Sequence, residues 1–407
     1  MATRRSRRDA PTGLKPSEGT ARPGRVLIAG AGIAGLTLGL ALARHGIASR
    51  IAERAERIDS IGAGIQLSPN ATSILAEVGV LDRLWAAAVR PEAILLRDAR
   101  HLRQRALIPL GEVAEQRWGS PYLTVHRADL QAALIGAVGR EALIELDLGT
   151  AVISATAEPD GASVAFDKAP SEDFALAIGA DGVTSALRRA IGGPAARSTG
   201  KIAYRATIAY PEPKATAILP AEQVSVFLHP GVHLVAYPVE SGRSVNLVAV
   251  ARGDAADGTV DPTRHFTTAH PKLRSLVSAV PGWSVWPIRT VDPSACWTSG
   301  GRICLIGDAA HAMTPYSAQG AAMAIEDAAI LADCIAQVPA DLPAALTRFA
   351  GLRHERIVRV ARRGRLNELA WHAWGPVAIA RNLVLAQRGG DRLAADLDWL
   401  YEWRRTP

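Results

Sequence analysis

A glycine-rich turn near the start of the chain constrains the fold more than any other feature. Val26 to Ala29 is a continuous apolar run, the pattern of a strand buried on both faces of a parallel sheet. Gly30-Ala31-Gly32-Ile33-Ala34-Gly35 follows at once. In such a GxGxxG turn the first glycine permits the tight bend, the second lets a pyrophosphate approach the backbone, and the third lets helix and strand pack closely. A helix then runs to about His45, and Gly46 ends it. A second strand, Ala48 to Ala52, delivers Glu53 23 residues after Gly30, where a carboxylate accepts hydrogen bonds from ribose hydroxyls. Phosphate would sit at the helix N-terminus, where the unpaired N–H groups around Ile33 and Ala34 and the helix dipole favour an anion. The unit predicts a Rossmann-type α/β fold and a dinucleotide, without choosing FAD over NAD(P).

The 407 residues suffice for two domains or for one domain with a large insertion. Apolar content of 48% and charged content of 21% exclude a disordered chain and a multi-span membrane protein. The net charge of +7 is mostly a property of the first 25 residues, whose seven basic side chains face only Asp9 and Glu18, leaving +2 for the remainder. Residues 1–24 read as a disordered basic tail, and nucleic-acid binding is not expected of it. Arg4-Arg5 and Arg7-Arg8 precede the apolar run, but its glycines and the lack of a small-residue cleavage site favour strand, turn and helix over an export signal or a membrane span. Cys296, Cys304 and Cys334 are too few and too badly spaced for a disulfide framework or a zinc site, so no metal is expected and a reducing cytoplasm is the default.

Two further motifs lie far along the chain. Phe174 to Ile178 reads as a strand running into Gly179-Ala180-Asp181-Gly182, with Thr184 and Ser185 as helix caps and Arg188 beyond. Arg302 to Ile306 reads as another buried strand, delivering Gly307-Asp308-Ala309-Ala310-His311. After a loop, Gln319-Gly320 opens a helix with apolar positions from Met323 to Ile335. The three motifs in this order, over about Arg25 to Glu368, resemble the single-component flavoprotein aromatic hydroxylases, the group A flavoprotein monooxygenases. Gly62-Ala63-Gly64-Ile65-Gln66-Leu67-Ser68-Pro69-Asn70-Ala71, His126-Arg127-Ala128-Asp129-Leu130 and Trp286-Pro287 are most similar to the salicylate, hydroxybenzoate and hydroxynicotinate hydroxylases.

The resemblance implies bound FAD, with Glu53 on the adenosine ribose, Arg127 on the phosphates and Asp308 on the ribityl hydroxyls. Asp181 would organise both the FAD site and the surface where NADH or NADPH approaches. Arg54, Gly64, Gln66, Arg188, Gly307, Pro315 and Ala321 complete the implied cofactor set. Charge developing near N1 and O2 of the reduced ring would be stabilised by the helix N-terminus at Gly320. Such a hydroxylase reduces FAD with NAD(P)H, traps O2 as a flavin hydroperoxide and transfers OH to an electron-rich ring. The protein must exclude water and remove a phenolic proton.

Val224 to Leu228 and Val232 to Val239 read as two strands joined at His229-Pro230-Gly231, and alternation puts His233, Val235 and Tyr237 on one face. His233 and Tyr237 match the pair that the hydroxybenzoate and hydroxynicotinate relatives use on the substrate hydroxyl; from the residues alone, a structural histidine in a half-buried strand remains open. Pro230-Gly231 prevents His229 and His233 from pairing on a metal. Pro315 falls where relatives place a proline or an amide beside the ring, and His311 reads as a residue ordering the loop. Arg205 is a candidate for a substrate carboxylate, with a surface salt bridge as the alternative. Trp283 to Trp286 has the wrong spacing for the halogenase WxWxIP signature.

The scattered motifs imply a discontinuous FAD-binding domain, 25–94, 122–195 and 289–340, with a mixed or antiparallel substrate sheet inserted over 95–121 and 196–288 and a helical region over 341–407. From Leu342 to Leu369 an arginine-rich helix would pack Leu352, Ile357, Val360 and Leu366 on the flavin domain and leave its arginines solvated. Trp371, Trp374 and Trp399 suit either a dimer surface or the core, so monomer and homodimer both stay open. An FAD-dependent epoxidase or prenyl-chain reductase, and a non-catalytic flavoprotein redox or binding module, are the alternatives to hydroxylation.

Overall fold

The computed structural model describes residues 24–58, 63–253 and 260–405. The expected basic tail lies outside these residues except for Gly24, as does Gly62. Three layers of sheet and helix organise the chain. A six-stranded sheet has the order Thr298–Ser299, Ile303–Leu305, Leu176–Gly179, Val26–Ala29, Ser49–Glu53 and Ile144–Leu148, parallel except at the first pair. Val26, Leu27 and Ile28 have no exposed surface, because helices cover both faces and parallel strands in that setting read as unbroken apolar runs. Each such side chain contributes about 1.5–3 kcal/mol by leaving water.

Register places the motifs together. Ala29 pairs with both Ala52 and Gly179, and Gly179 pairs with Leu305, so the loops holding Gly30, Glu53, Asp181 and Asp308 all leave the carboxyl edge of this sheet. Ligands of open α/β sheets bind at that edge. The third motif's strand is shorter than expected, Ile303–Leu305, and the second divides: Glu172–Phe174 joins a small antiparallel sheet while Leu176–Gly179 stays in the parallel one.

The inserted sheet has seven strands in the order Ser284–Thr290, Arg197–Ala209, Ser244–Arg252, Val232–Val239, Gln223–His229, Ala93–Asp98 and Gln104–Pro109. It is mixed, because Gln223–His229 runs parallel to Ala93–Asp98 while the other pairs are antiparallel. A separate two-stranded ribbon pairs Gly64–Leu67 with Leu123–His126; its Gly64, and Arg127 at the start of the helix Arg127–Val138 that follows, line a cleft.

The helix Leu342–Trp371 differs from expectation on its polar side. Ile357 and Val360 are buried, but Leu352 and Leu366 are 50% and 63% exposed. Arg353, expected in solvent, is completely buried: its Nε donates to Asp327 at 2.7 Å and its Nη1 to Glu326 at 2.6 Å. Two carboxylates on Gly320–Gln337 face the interior, and burying them requires a cation there. Trp371 packs partly on the core, whereas Trp374 is 74% exposed.

Candidate active site

The glycine turn is shaped by its neighbours. Gly30 has φ +103°, and a Cβ there would lie 2.7 Å from the Ala180 carbonyl oxygen. A Cβ on Gly35 would lie 2.0 Å from the Gly30 oxygen, which is the close helix–strand contact that the third glycine of the motif serves. Gly32 is the reverse case, with no atom within 4 Å of where its Cβ would be. That open side lies before the helix Ile33–Arg44, whose N-terminus has no side-chain cap and lines a cavity with Gly32, Ile33 and Ala34. Uncapped N–H groups facing open space are an anion site. Glu53 stands beside it, accepting the Ala31 N–H at 2.8 Å and its own loop's Ala55 N–H at 3.0 Å; Arg54 is exposed next to it.

The helix Gly320–Gln337 presents a second uncapped N-terminus to the same cavity, through Gly320 and Ala321. Its start is held by a buried amide and hydroxyl network. Gln319 Nε2 donates to Ser68 Oγ at 2.9 Å, Ser68 Oγ to Asn70 Oδ1 at 2.6 Å, and Asn70 Nδ2 to Glu326 Oε1 at 2.6 Å. The Ser68-Pro69-Asn70 phrase thus aims a helix about 250 positions away in the chain. Asp327 does the same for the third motif: its Oδ2 accepts the Gly307 N–H at 2.9 Å and meets His311 Nε2 at 2.6 Å, while Oδ1 takes Arg353. Burial opposes the charge on Asp327, yet His311, Arg353 and the Gly307 N–H outweigh it and hold the carboxyl at about 2. Asp308, by contrast, projects an exposed carboxylate into the cleft.

Two adjoining cavities, about 570 and 330 Å³, share Arg127, Arg205, Asp308, Met313 and Pro315 in their walls. The smaller is lined on one side by His233, Val235 and Tyr237, the alternating face of the strand Val232–Val239. Gly64 lets that strand come near, since a Cβ there would lie 2.6 Å from the Tyr237 ring, and its N–H donates to Asn246 Oδ1 at 2.6 Å. Gln66 accepts the Tyr122 hydroxyl at 2.7 Å and lines the cavity beside Tyr237. Burial raises the Tyr237 pKa, against the opposing pull of Arg205 and Gln66, so this phenol stays protonated.

Arg205 lies half-buried in the cavity wall with its Nε unpartnered among the described residues and its Cζ 6.0 Å from the Trp286 ring centre. Burial lowers its pKa, and the groups acting on it are Tyr237 and Arg127 rather than a carboxylate, so the expected salt-bridge alternative is not what the structure holds. His233 is buried, and its Nδ1 lies 2.9 Å from Nε2 of His372. Burial, then the neighbouring His372, lowers its pKa well below the ordinary value, keeping the ring neutral. His229 at the hairpin end turns instead to Thr268, at 2.9 Å.

Residues 24–360 match a family model described as an FAD binding domain. The chain is 32% identical to 3-hydroxybenzoate 6-hydroxylase of Polaromonas naphthalenivorans over 93% of its own length and 96% of the relative's. It is 34% identical to 6-hydroxynicotinate 3-monooxygenase of Bordetella bronchiseptica, covering 83% and 90% of the two chains. The crystal structure of HpxO of Klebsiella pneumoniae complexed with FAD and uric acid superposes with a TM-score of 0.81 at 26% identity, covering 92% of this chain and 95% of that one. The chain belongs to the single-component FAD-dependent aromatic hydroxylases. Relatives named for hydroxylation and monooxygenation favour that chemistry over alkene reduction, epoxidation or a non-catalytic role. No helix among the described residues is long and apolar enough to cross a membrane.

The residues of this hydroxylase fit FAD. Two uncapped helix N-termini, at Gly32 and at Gly320, open on one cleft, and Gly320 like Gly32 has free space where a side chain would be. Asp181 Oδ2 accepts N–H groups of Ala186 and Leu187 at 2.6 and 3.4 Å, while its Oδ1 is buried without a partner among the described residues. Arg188 is not brought to the cleft. Its guanidinium donates to the carbonyls of Pro194, Ala309 and Val183 at 2.9, 2.8 and 2.5 Å, because a buried arginine must satisfy its donors and three loop carbonyls surround it. It ties the second motif to the third. Sequence reasoning missed Asn246, Arg353 and His372: an asparagine in a strand, an arginine among seven on one helix and a histidine after a helix end carry no motif.

Proposed function

We propose that this hydroxylase acts on a small phenolic or hydroxy-heteroaromatic acid, of the salicylate, hydroxybenzoate or hydroxynicotinate kind, using NADH or NADPH and O2. The observation that carries the reading is the pairing, on one small cavity, of a free guanidinium with a neutral imidazole: Arg205 on one wall, His233 and Tyr237 on another. A carboxylate matches the planar fork of Arg205, and a ring hydroxyl matches His233. The relatives' names, 3-hydroxybenzoate and 6-hydroxynicotinate, denote aromatic rings carrying both groups.

When bound, FAD would supply the oxygen-transfer chemistry, with NADH or NADPH as reductant and O2 as the source of oxygen. Gly30, Gly32 and Gly35 with the N–H groups of Ile33 and Ala34 would receive its pyrophosphate, Glu53 its adenosine ribose, Arg127 a phosphate and Asp308 the ribityl chain. Arg205 binds and orients the substrate carboxylate. His233 Nε2 takes the proton from the ring hydroxyl, which pushes electron density into the ring. Tyr237, protonated, donates a hydrogen bond to the resulting oxyanion. Val235, Val248, Val250 and Met313 wall the cavity and keep water away. Pro315 stands at the cavity edge, with no side-chain donor of its own.

A panel of salicylate, hydroxybenzoates and hydroxynicotinates, each scored for NAD(P)H consumption and for oxygenated product, tests this reading. Coupled consumption and hydroxylated product with one of them is expected. Product from none of the acids, with turnover of a ring lacking a carboxylate, would refute it.

A further inference from the structure

His233 cannot hold a proton comfortably where it stands. The ring is 2% exposed and packs between Tyr316, Trp371 and His372, with centroid distances of 5.2, 4.9 and 5.1 Å. A base that accepts a substrate proton there must either keep a buried positive charge or pass it on. A neighbouring histidine offers a route for passing it. His372 follows the last turn of Leu342–Trp371, and its Nε2 lies 2.9 Å from His233 Nδ1. With His233 Nδ1–H donating to His372 Nε2, His233 Nε2 is left to accept from the cavity, and His372 Nδ1 carries the outer proton.

We infer that His372 acts through His233 as a proton relay, carrying the substrate's hydroxyl proton from the cavity towards solvent at the end of the helix Leu342–Trp371. This inference rests on the substrate reading proposed above. The proton balance is simple. The substrate O–H bond breaks and its proton goes to His233 Nε2; His233 Nδ1–H passes its proton to His372 Nε2; His372 Nδ1–H releases one to water. When the product oxyanion is reprotonated, the same steps run backwards and both rings regain their starting tautomers. No electron moves in the relay.

The surroundings grade the charge outward. Against His233 stand His372, whose charge opposes a second one on His233, and the Tyr316 phenol, which burial keeps protonated. Around His372 stand Glu368, which favours its cation, and Lys201, Arg252 and His229, which oppose it; burial lowers it to about 4, whereas His233 lies deeper. Glu368 pairs with Lys201, and both line a recess of about 400 Å³ that meets the substrate cavity at Met313 and Thr314.

The test is stopped-flow proton release with a pH indicator, on the oxidised FAD holoenzyme mixed with 3-hydroxybenzoate and 6-hydroxynicotinate, alongside kcat and KM. His372→Gln keeps an acceptor for His233 Nδ1–H but cannot relay, and His372→Phe removes both. Both variants are expected to retain FAD and a KM within about 2-fold of wild type, and to slow proton release and kcat on the order of 100-fold. Where His372→Phe fails to fold, His372→Gln decides alone. Wild-type rates in His372→Gln with His233 still required would overturn the relay, leaving a positioning role. A wild type that neither hydroxylates nor releases a proton with either acid would overturn the substrate reading and the relay with it.

Discussion

Gly32 and Gly35 stand three residues apart in one turn, yet the structure gives them opposite consequences when a methyl is added. In Gly35→Ala the new Cβ would meet the Gly30 carbonyl oxygen at 2.0 Å and Ile28 Cγ2 at 3.2 Å, where ordinary contact begins at 3.4 Å. The obstacle at 2.0 Å is backbone, so the helix Ile33–Arg44 must shift by more than 1 Å on the buried Val26–Ala29 strand. Overpacking of this kind costs about 1–3 kcal/mol or more, with or without cofactor. In Gly32→Ala nothing lies within 4 Å and φ is −76°, so the apoprotein should lose no more than about 0.5 kcal/mol. The methyl would instead occupy the place assigned to pyrophosphate. Loss of one or two charge-assisted hydrogen bonds, about 1.5–3 kcal/mol each, weakens FAD by about 10- to 150-fold per bond. The assay is thermal unfolding of the apoprotein and flavin-fluorescence titration for each variant. Gly35→Ala should lower the apoprotein midpoint. Gly32→Ala should leave that midpoint in place while losing the stabilisation that excess FAD confers on wild type. Wild-type FAD affinity in Gly32→Ala would refute the assignment of the open side of the turn to phosphate.

Arg205→Met should raise KM for a hydroxylated aromatic acid by about 10- to 150-fold, with little change for the same ring lacking its carboxylate, measured by initial rates. Arg353→Met leaves Asp327 and Glu326 under-compensated in the interior; a loss of about 3–5 kcal/mol in denaturant unfolding is expected, with weaker FAD binding because Asp327 no longer holds the Gly307 loop. His372 drops from 6.5 unfolded to about 4 folded, so the unfolded chain takes up the proton first as pH falls. The stability due to the neutral ring is complete above about 6.5 and is lost as pH falls towards about 4; a thermal midpoint that declines over this window in wild type should decline less in His372→Gln.

The cofactor half of the protein was legible in the chain because its chemistry is local. A strand, a turn needing positive φ and close packing, and a helix N-terminus occupy consecutive residues, and Glu53 follows at a distance set by one βαβ step. The inserted sheet was legible in outline, since alternation of His233, Val235 and Tyr237 follows from strand geometry alone. Arg188 misled, because an arginine after a motif looks the same whether it reaches a phosphate or three loop carbonyls. The solvated reading of Arg353 failed for a similar reason: periodicity marks the apolar stripe of a helix but not a buried pair of carboxylates on the helix opposite.

Long-range pairing decided the rest. Only the fold brings Ser68 and Asn70 to Gln319, Asp327 to Gly307, Arg205 to the cavity shared with His233, and His372 to within 2.9 Å of His233. The cost of burying polar and charged groups forces such groups to find partners, and the partners can lie anywhere in the chain. Backbone geometry over a few residues therefore wrote the glycine turn into the sequence, whereas the proton partner of the candidate base became visible only when two segments 139 residues apart were packed against each other.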